Sequence, residues 1–513
     1  MTDLATAFNL QSIWNIAGGQ VVLLATGLVL IALELLMAGQ SRAARSAALG
    51  WATVVGLLLA LGHVVFREWT LSAVVLSGVF SMEKFTVFLV AVLLLAGVLA
   101  ALMSIGYLRN NEEPRGEYFI LLLFSVYGAV AFVQSVDLLM MFIALEVMSV
   151  AVYVLAAYLK NDRASVEGAM KYFLLGSFGS AFFLFGVVWL YGLTGTLNLS
   201  EMAVILSGGL FRQPPVLVAF AMLSAGLFFK MALVPFHMWT PDVYEGSPSV
   251  VTGFMATAVK AGAFGAFLKI LTVAFSPILS TGGVTHFLMT HNLGGMAAYW
   301  QPVLWWLALL TMFIGNLLAI SQQNIKRMLA YSSIAHAGYM TLGLLAGNAD
   351  GRMGVLFYLF SYTLMNLGAF GVVYLIDGRE RGAQTLEDYR GLGFRVPGLS
   401  FLLSLFLVAM AGLPPTAGFI GKFYVFAAAI REGYLLLAAL GILTSVMGAY
   451  YYLRVVYLLY MKDPVREVSV GRVDAPTFVA LAAMGLGVLY LGILPQGLAR
   501  LAQAAQASLA YLF

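Results

Sequence analysis

Four ionisable residues interrupt stretches that are otherwise apolar. They are Glu146 in LLMMFIALEVMSV, Lys230 in LSAGLFFKMALVPFHMWTPD, Lys260 in GFMATAVKAGAFGAF and Lys422 in AGLPPTAGFIGKFYVF. A charge at the centre of a bilayer costs at least about 2.5–3.5 kcal/mol on insertion scales, so such residues face a partner or a wet cavity and mark ion pathways. A lysine in poorly hydrated surroundings gives up its proton more readily, and a nearby carboxylate makes it hold on. Moving Glu146 toward or away from Lys230 would therefore load or discharge the lysine, a proton switch that needs no cofactor. Lys260 and Lys422 would pass the proton on. The competing reading of Glu146 is a neutral, hydrogen-bonded carboxyl that serves packing. That of Lys230 is a permanently charged structural pair.

Two histidines are candidate proton relays, because imidazole both donates and accepts. His237 follows Lys230 by seven residues, and His336 lies in KRMLAYSSIAHAGYM. Each could equally be a hydrogen-bonded interior residue. Lys269, nine residues beyond Lys260, is expected near the end of its span, where its ammonium would snorkel to the interface. Glu34 is expected at a lipid boundary or subunit contact. The many methionines and aromatic residues are read as packing and interface anchoring.

Membrane-spanning helices must hold these residues at depth. The chain has 513 residues, 62% hydrophobic and 10% charged, with a mean hydropathy of +0.95. Soluble domains carry about 25% charged residues, so a soluble globular protein is ruled out. A crossing takes about 20 apolar residues. Apolar runs fall at 18–38, 47–66, 84–106, 117–134, 138–159, 168–192, 215–238, 248–273, 302–320, 327–346, 353–376, 399–430, 434–460 and 475–495. The runs are long and continuous, unlike the alternating segments of a β-barrel. The fold expected is an all-α membrane protein of about fourteen transmembrane helices, with 496–513 as a short interfacial tail.

Spans seven and twelve are expected to be broken. Pro235 lies five residues after Lys230, and Pro414 and Pro415 with Gly412, Gly418 and Gly421 flank Lys422. Proline removes a backbone donor and disturbs the preceding turn, and freed carbonyls are tolerated at membrane depth only beside protein or a water-filled cavity. Spans four to eight and nine to thirteen make two sets of five, and an odd number of crossings turns the second set upside down. Inverted repeats with paired broken helices are a transporter plan with the ion path near mid-membrane. The organisation expected is 1–116 for the first three helices, 117–273 for the first repeat, 300–460 for the inverted second repeat, and 461–513 for the last helix and tail.

Loop charge supports this count. Loops after odd-numbered spans, including Arg379 and Arg381, hold 17 of the 27 Lys and Arg; those on the opposite side, including Arg212, hold 6. The positive-inside rule then places both termini on the outer side. The start has neither a basic n-region nor a small-residue cleavage site, so the first apolar run reads as a retained span. Cysteine is absent, which excludes disulfides, thiolate nucleophiles and Cys-ligated zinc or iron–sulfur clusters from these residues. The five histidines are scattered, and a net charge of +4 is no nucleic-acid signal.

NIKRMLAYSSIAHAGYM (324–340), FFKMALVPFHMWTPDVYEGSP (228–248) and LEVMSV around Glu146 resemble the antiporter-like membrane subunits of respiratory complex I, the bacterial NADH:quinone oxidoreductase. The likeness spans nearly the whole chain. TLEDYRGLG (385–393) and GLPPTAGFIGKFYVF (412–426) are most similar to the N-type subunit, since the M type carries a glutamate where Lys422 stands. The resemblance implies that Glu146 and Lys230 are the coupled ion pair, Lys260 the central lysine and Lys422 the terminal proton-transfer site. It also implies that this chain binds no cofactor. Flavin, iron–sulfur clusters and quinone would belong to partner subunits, and other membrane subunits and lipid would cover its flanks in a bacterial inner membrane with both termini periplasmic. The alternatives are a subunit of a multi-subunit sodium/proton antiporter, a subunit of an energy-conserving hydrogenase or photosynthetic relative, and a scaffold whose buried charges only lock helices together.

Overall fold

The computed structural model describes residues 10–70, 75–76, 78–111, 115–207, 210, 213–275, 297–377 and 384–509. Arg212, Arg379 and Arg381 lie outside the described residues. The chain is helical almost throughout. In order run α1 (Leu10–Leu36), α2 (Arg42–Phe66), α3 (Lys84–Asn110), α4 (Glu117–Gln134), α5 (Leu138–Ala156), α6 (Arg163–Thr194), α7 (Leu199–Ser207), α8 (Pro214–Met231) and α9 (Thr240–Gly246). Then come α10 (Ser249–Val273), α11 (Ala297–Ser321), α12 (Ile325–Ala346), α13 (Ala349–Asp377), α14 (Pro397–Ala411), α15 (Ala417–Arg431), α16 (Leu435–Met461), α17 (Ala475–Ile493) and α18 (Gln496–Ser508). The β-structure in named strands is one two-stranded hairpin, Val75–Leu76 with Phe80–Ser81.

Among the described residues, 12 helices are long and apolar enough to cross a membrane, since about 18–20 residues at 1.5 Å each span the hydrocarbon core. Their starts follow from short polar residues in the loops. Asp137, Asp162, Asn324 and Asp474 each accept backbone N–H groups in the first turn of α5, α6, α12 and α17, satisfying donors that a helix leaves open. Helices α10 and α13 are buried nearly end to end, and α3 is close to that; α1, α6, α16 and α17 leave most of their apolar surface outward. A residue on α10 or α13 is therefore walled off by other helices.

Both expected breaks are present. Helix α8 stops at Ala232, which takes a left-handed conformation (φ 60°), and α14 stops at Gly412 (φ 84°). Each break carries a cis X–Pro bond, Val234–Pro235 and Pro414–Pro415. Span twelve is thus two helices, α14 and α15, and not one run. They cross so closely that a Cβ on Gly418 would stand 1.8 Å from the Ala409 carbonyl oxygen, which only glycine permits.

Two expectations are corrected. The tail is not merely interfacial: α18 buries Leu498, Ala502 and Ala505, packs on α3 and α13, and its Ser508 hydroxyl accepts the Phe85 N–H at 2.9 Å. Glu34, partly exposed on α1, is paired with Arg45 at 3.1 Å. Lys269 does not snorkel; its side chain is 0% exposed and lies 3.2 Å from Glu83. The short helix α7 also went unforeseen, since nine residues are too few to stand out in hydropathy.

Candidate functional site

Glu146 and Lys230 sit on two helices that both pack on α6, and they are not bonded to each other. Glu146, half-buried on α5, accepts a hydrogen bond from Ser180 of α6. Lys230, in the last turn of α8 and 2% exposed, donates to the Tyr153 hydroxyl at 3.0 Å. Tyr153 follows Glu146 by seven residues, so both lie on one face of α5. The Lys230 ammonium also stands over the rings of Tyr153, Tyr172 and Phe229 at 5.0, 5.2 and 5.7 Å. These ring faces stabilise a cation, as does the C-terminal end of α8, where carbonyls carry partial negative charge.

Gly176 makes room for this arrangement. A Cβ there would meet the Tyr153 hydroxyl at 2.1 Å. Overpacking of a filled interior costs about 1–3 kcal/mol, so Gly176→Ala is expected to lower the midpoint of thermal unfolding in detergent. An unchanged midpoint would show that Tyr153 is free to move and that its hydroxyl does not fix Lys230.

The break in span seven joins Lys230 to the centre. Tyr172 stacks on Trp239 at 4.3 Å and 6°, and the Trp239 indole donates at 3.1 Å to the Phe229 carbonyl, which also accepts the Ala232 N–H at the end of α8. Trp239 meets the edge of Tyr244 at 6.1 Å, and the Tyr244 hydroxyl meets Ser333. Ser333 receives Lys260, whose ammonium donates to the Ser333 hydroxyl and carbonyl oxygens at 2.6 Å each. Lys260 is 1% exposed and directly follows a π-helical turn, Met255–Val259. Such turns insert one residue into a helix and recur at functional sites.

From Lys260 the contacts continue through α12 and α13. The ammonium stands 5.7 Å over the Tyr362 ring, which is 5.1 Å from the His336 ring. The His336 nitrogens face the hydroxyls of Tyr358 at 2.8 Å and Tyr452 at 3.1 Å. Tyr452 in turn bonds Ser332. His336 packs at 5.8 Å on Tyr339, and Lys422 stands 4.9 Å over that ring. Lys422 donates to Ser445 Oγ at 2.7 Å and to the Ala411 carbonyl, freed at the break, at 3.0 Å. The two breaks thus use lysine differently. Lys230 ends the helix before its break, whereas Lys422 sits on the helix after its break and reaches back.

Lys230, Lys260, His336 and Lys422 are therefore joined in one line, with Glu146 beside its start. His237 lies in the first break, its Nδ1 buried without a partner, and no hydrogen bond or ion pair joins it to the three lysines. The line's tyrosines were passed over as ordinary packing. The spacing Ser332, Ser333, His336, Tyr339, a polar stripe at helical period, was the signal available for them. Asn366 is fully buried, and its amide nitrogen and oxygen are both unpaired. Buried polar groups of this kind are satisfied by ordered water. Among the described residues no group of three or more His, Cys, Asp or Glu is placed to hold a metal ion.

On the side of the basic loops, ion pairs fasten the far half of the first break. Asp242 of α9 pairs with Lys171 at 2.7 Å and with Arg327 at 2.8 Å, and Arg327 also pairs with Glu245 at 2.7 Å. These bonds tie α9 to α6 and α12, the helices that carry Tyr172 and Ser333.

Comparison with known proteins identifies the family. A family model described as "NADH:quinone oxidoreductase/Mrp antiporter, TM" matches residues 135–290 and 271–448. The chain is 39% identical over 493 residues to NADH-quinone oxidoreductase subunit N of Trichlorobacter lovleyi, covering 96% of each sequence. Among solved structures, it is similar to a chain of respiratory complex I from Thermus thermophilus, with 32% identity, a TM-score of 0.77 and coverage of 94% of this chain and 98% of that one. A chain of the Mrp complex from a Dietzia species shares the fold, with a TM-score of 0.81 and coverage of 96% and 98%, but only 20% identity. The chain belongs to the family of antiporter-like membrane subunits that includes NADH-quinone oxidoreductase subunit N.

Proposed function

We propose that this chain is a proton-translocating membrane subunit of an NADH:quinone oxidoreductase, moving protons while quinone is reduced elsewhere in the complex. The observation that carries the reading is the line of buried contacts from Lys230 through Lys260 and His336 to Lys422. Each lysine there rests on neutral oxygens and ring faces, not on a carboxylate, so each can lose its proton without stranding a bare buried anion. The hydroxyls beside these groups, Tyr153, Ser333, Tyr358, Tyr452 and Ser445, both donate and accept. Glu146 acts at the start of the line. When it swings from Ser180 toward Tyr153, its charge holds a proton on Lys230; when it swings back, the proton moves inward.

In this reading the chain carries no redox group. Flavin, iron–sulfur clusters and quinone belong to partner subunits. The outward faces of α1, α6, α16 and α17 meet other membrane subunits and lipid. Helix α12 and the pair α14–α15 add two crossings to the twelve, giving fourteen, ten of them arranged as two inverted five-helix repeats, with both termini on the periplasmic side.

Native mass spectrometry of the assembly purified from its membrane tests the assignment. Co-purification with flavin- and iron–sulfur-bearing subunits is the expected result. The Mrp likeness is one of fold, and a sodium/proton antiporter subunit remains the rival reading. Sodium-dependent proton exchange in a strain lacking NADH:quinone oxidoreductase, with no redox subunits attached, would replace our assignment by that one.

A further inference from the structure

Lys269 is built differently from the three lysines of the line. It lies nine residues beyond Lys260, roughly 13–14 Å further along α10 and on its opposite face. That end of α10 is the one away from the basic loops. The ammonium donates to the Val133 carbonyl at 2.5 Å, Thr86 Oγ1 at 2.6 Å and Ser81 Oγ at 3.0 Å. Glu83 Oε1 is 3.2 Å away, and both side chains of the pair are 0% exposed. Thr86 also donates to the same Glu83 oxygen, while Glu83 Oε2 is buried with no partner.

The oxygens come from two helix ends. Val133 lies in the last turn of α4, where carbonyls lack intrahelical donors, and Glu83 stands just before α3. A carboxylate, two hydroxyls and a carbonyl at these distances form a nest for a small monovalent cation, and a tethered one fills it. An ammonium has three protons and here meets four acceptors. Removing its proton would leave a buried carboxylate and carbonyl short of donors, an outcome disfavoured in a dry interior. Among the described residues, neither Lys230, Lys260 nor Lys422 has a carboxylate ion partner.

We propose that Ser81, Glu83, Thr86 and Val133 form a monovalent-cation cage plugged by the Lys269 ammonium, and that the plug closes the first repeat to cations at the end far from the basic loops. Protons on the line then leave through Lys422 and not along α10. The inference rests on the proton-transfer reading given above, and its test is independent of turnover.

The assembled complex is reconstituted in vesicles, and passive proton flux after a pH jump is followed without NADH. Lys269→Gln, which keeps a polar side chain but removes the charge and is one atom shorter, is expected to raise the leak about tenfold or more. Lys269→Arg keeps the plug and is expected to stay tight. In the leaky variant, slowing of the proton flux by added sodium identifies sodium as the occupant, and a sodium-insensitive leak identifies hydronium; both follow from an opened cage. A tight Lys269→Gln, or a Lys269→Arg that leaks equally, overturns the proposal. If Lys269→Gln does not assemble, Glu83→Gln is read instead: it loosens the tether and should leak at an intermediate rate, and wild-type tightness overturns the plug. A Lys230→Arg variant that still pumps would sink the proton-transfer reading itself while leaving the leak result standing.

Discussion

Lys230→Ala is expected to lower proton translocation and quinone-coupled turnover of the assembled complex by about 100-fold or more, the scale of losing a positioned acid–base group. Lys230→Arg is expected to be nearly as damaging. Arginine keeps the charge and the ring contacts, but it does not give up its proton in a protein. The pair of variants separates chemistry from architecture. If the buried charge only locked α8 against α5 and α6, arginine would restore function and alanine would lower the yield of assembled complex. The measurement is proton uptake and NADH oxidation in membrane vesicles, normalised to the amount of complex. Full activity of the arginine variant would refute a titrating role for Lys230.

The second large effect is expected at Lys260. Lys260→Met keeps the unbranched apolar stem as far as Cε, so α10 should still pack and the complex assemble. The Ser333 hydroxyl and carbonyl would lose their donor, and the two halves of the line would lose their shared group. Turnover coupled to proton movement is expected to drop to about a hundredth, again by the scale of proton-transfer catalysis. Assembly, read by native electrophoresis, should stay within about twofold of wild type, because removing a buried charge together with its desolvation penalty is often neutral for folding. A pumping Lys260→Met variant would mean that protons bypass the middle of the line.

The helices were legible because a bilayer demands long apolar runs, and the lysines because a charge inside such a run has few explanations. Both breaks were legible from Pro235, Pro414 and Pro415. Other features were hidden for physical reasons. Glu83 lies just outside a run, where a carboxylate normally meets water; only the fold shows that the ends of α3, α4 and α10 close over it. Tyr153, Tyr358, Tyr362 and Tyr452 are half apolar by nature, so their letters do not tell a packing ring from a hydroxyl in a polar line. Direct pairing of Glu146 with Lys230 was expected from the family resemblance. The intervening Ser180 and Tyr153 bonds depend on the rotation of α5 and α6, which periodicity alone does not set.

The stacking of Trp239 on Tyr172, with its indole N–H on the Phe229 carbonyl, has a practical outcome. It places an intrinsic chromophore one residue's contact away from the first lysine. Emission from an indole shifts with the electric field across it, so arrival or departure of the Lys230 charge should register as a spectral change in label-free stopped-flow traces, and a Trp239→Phe strain supplies the dark control.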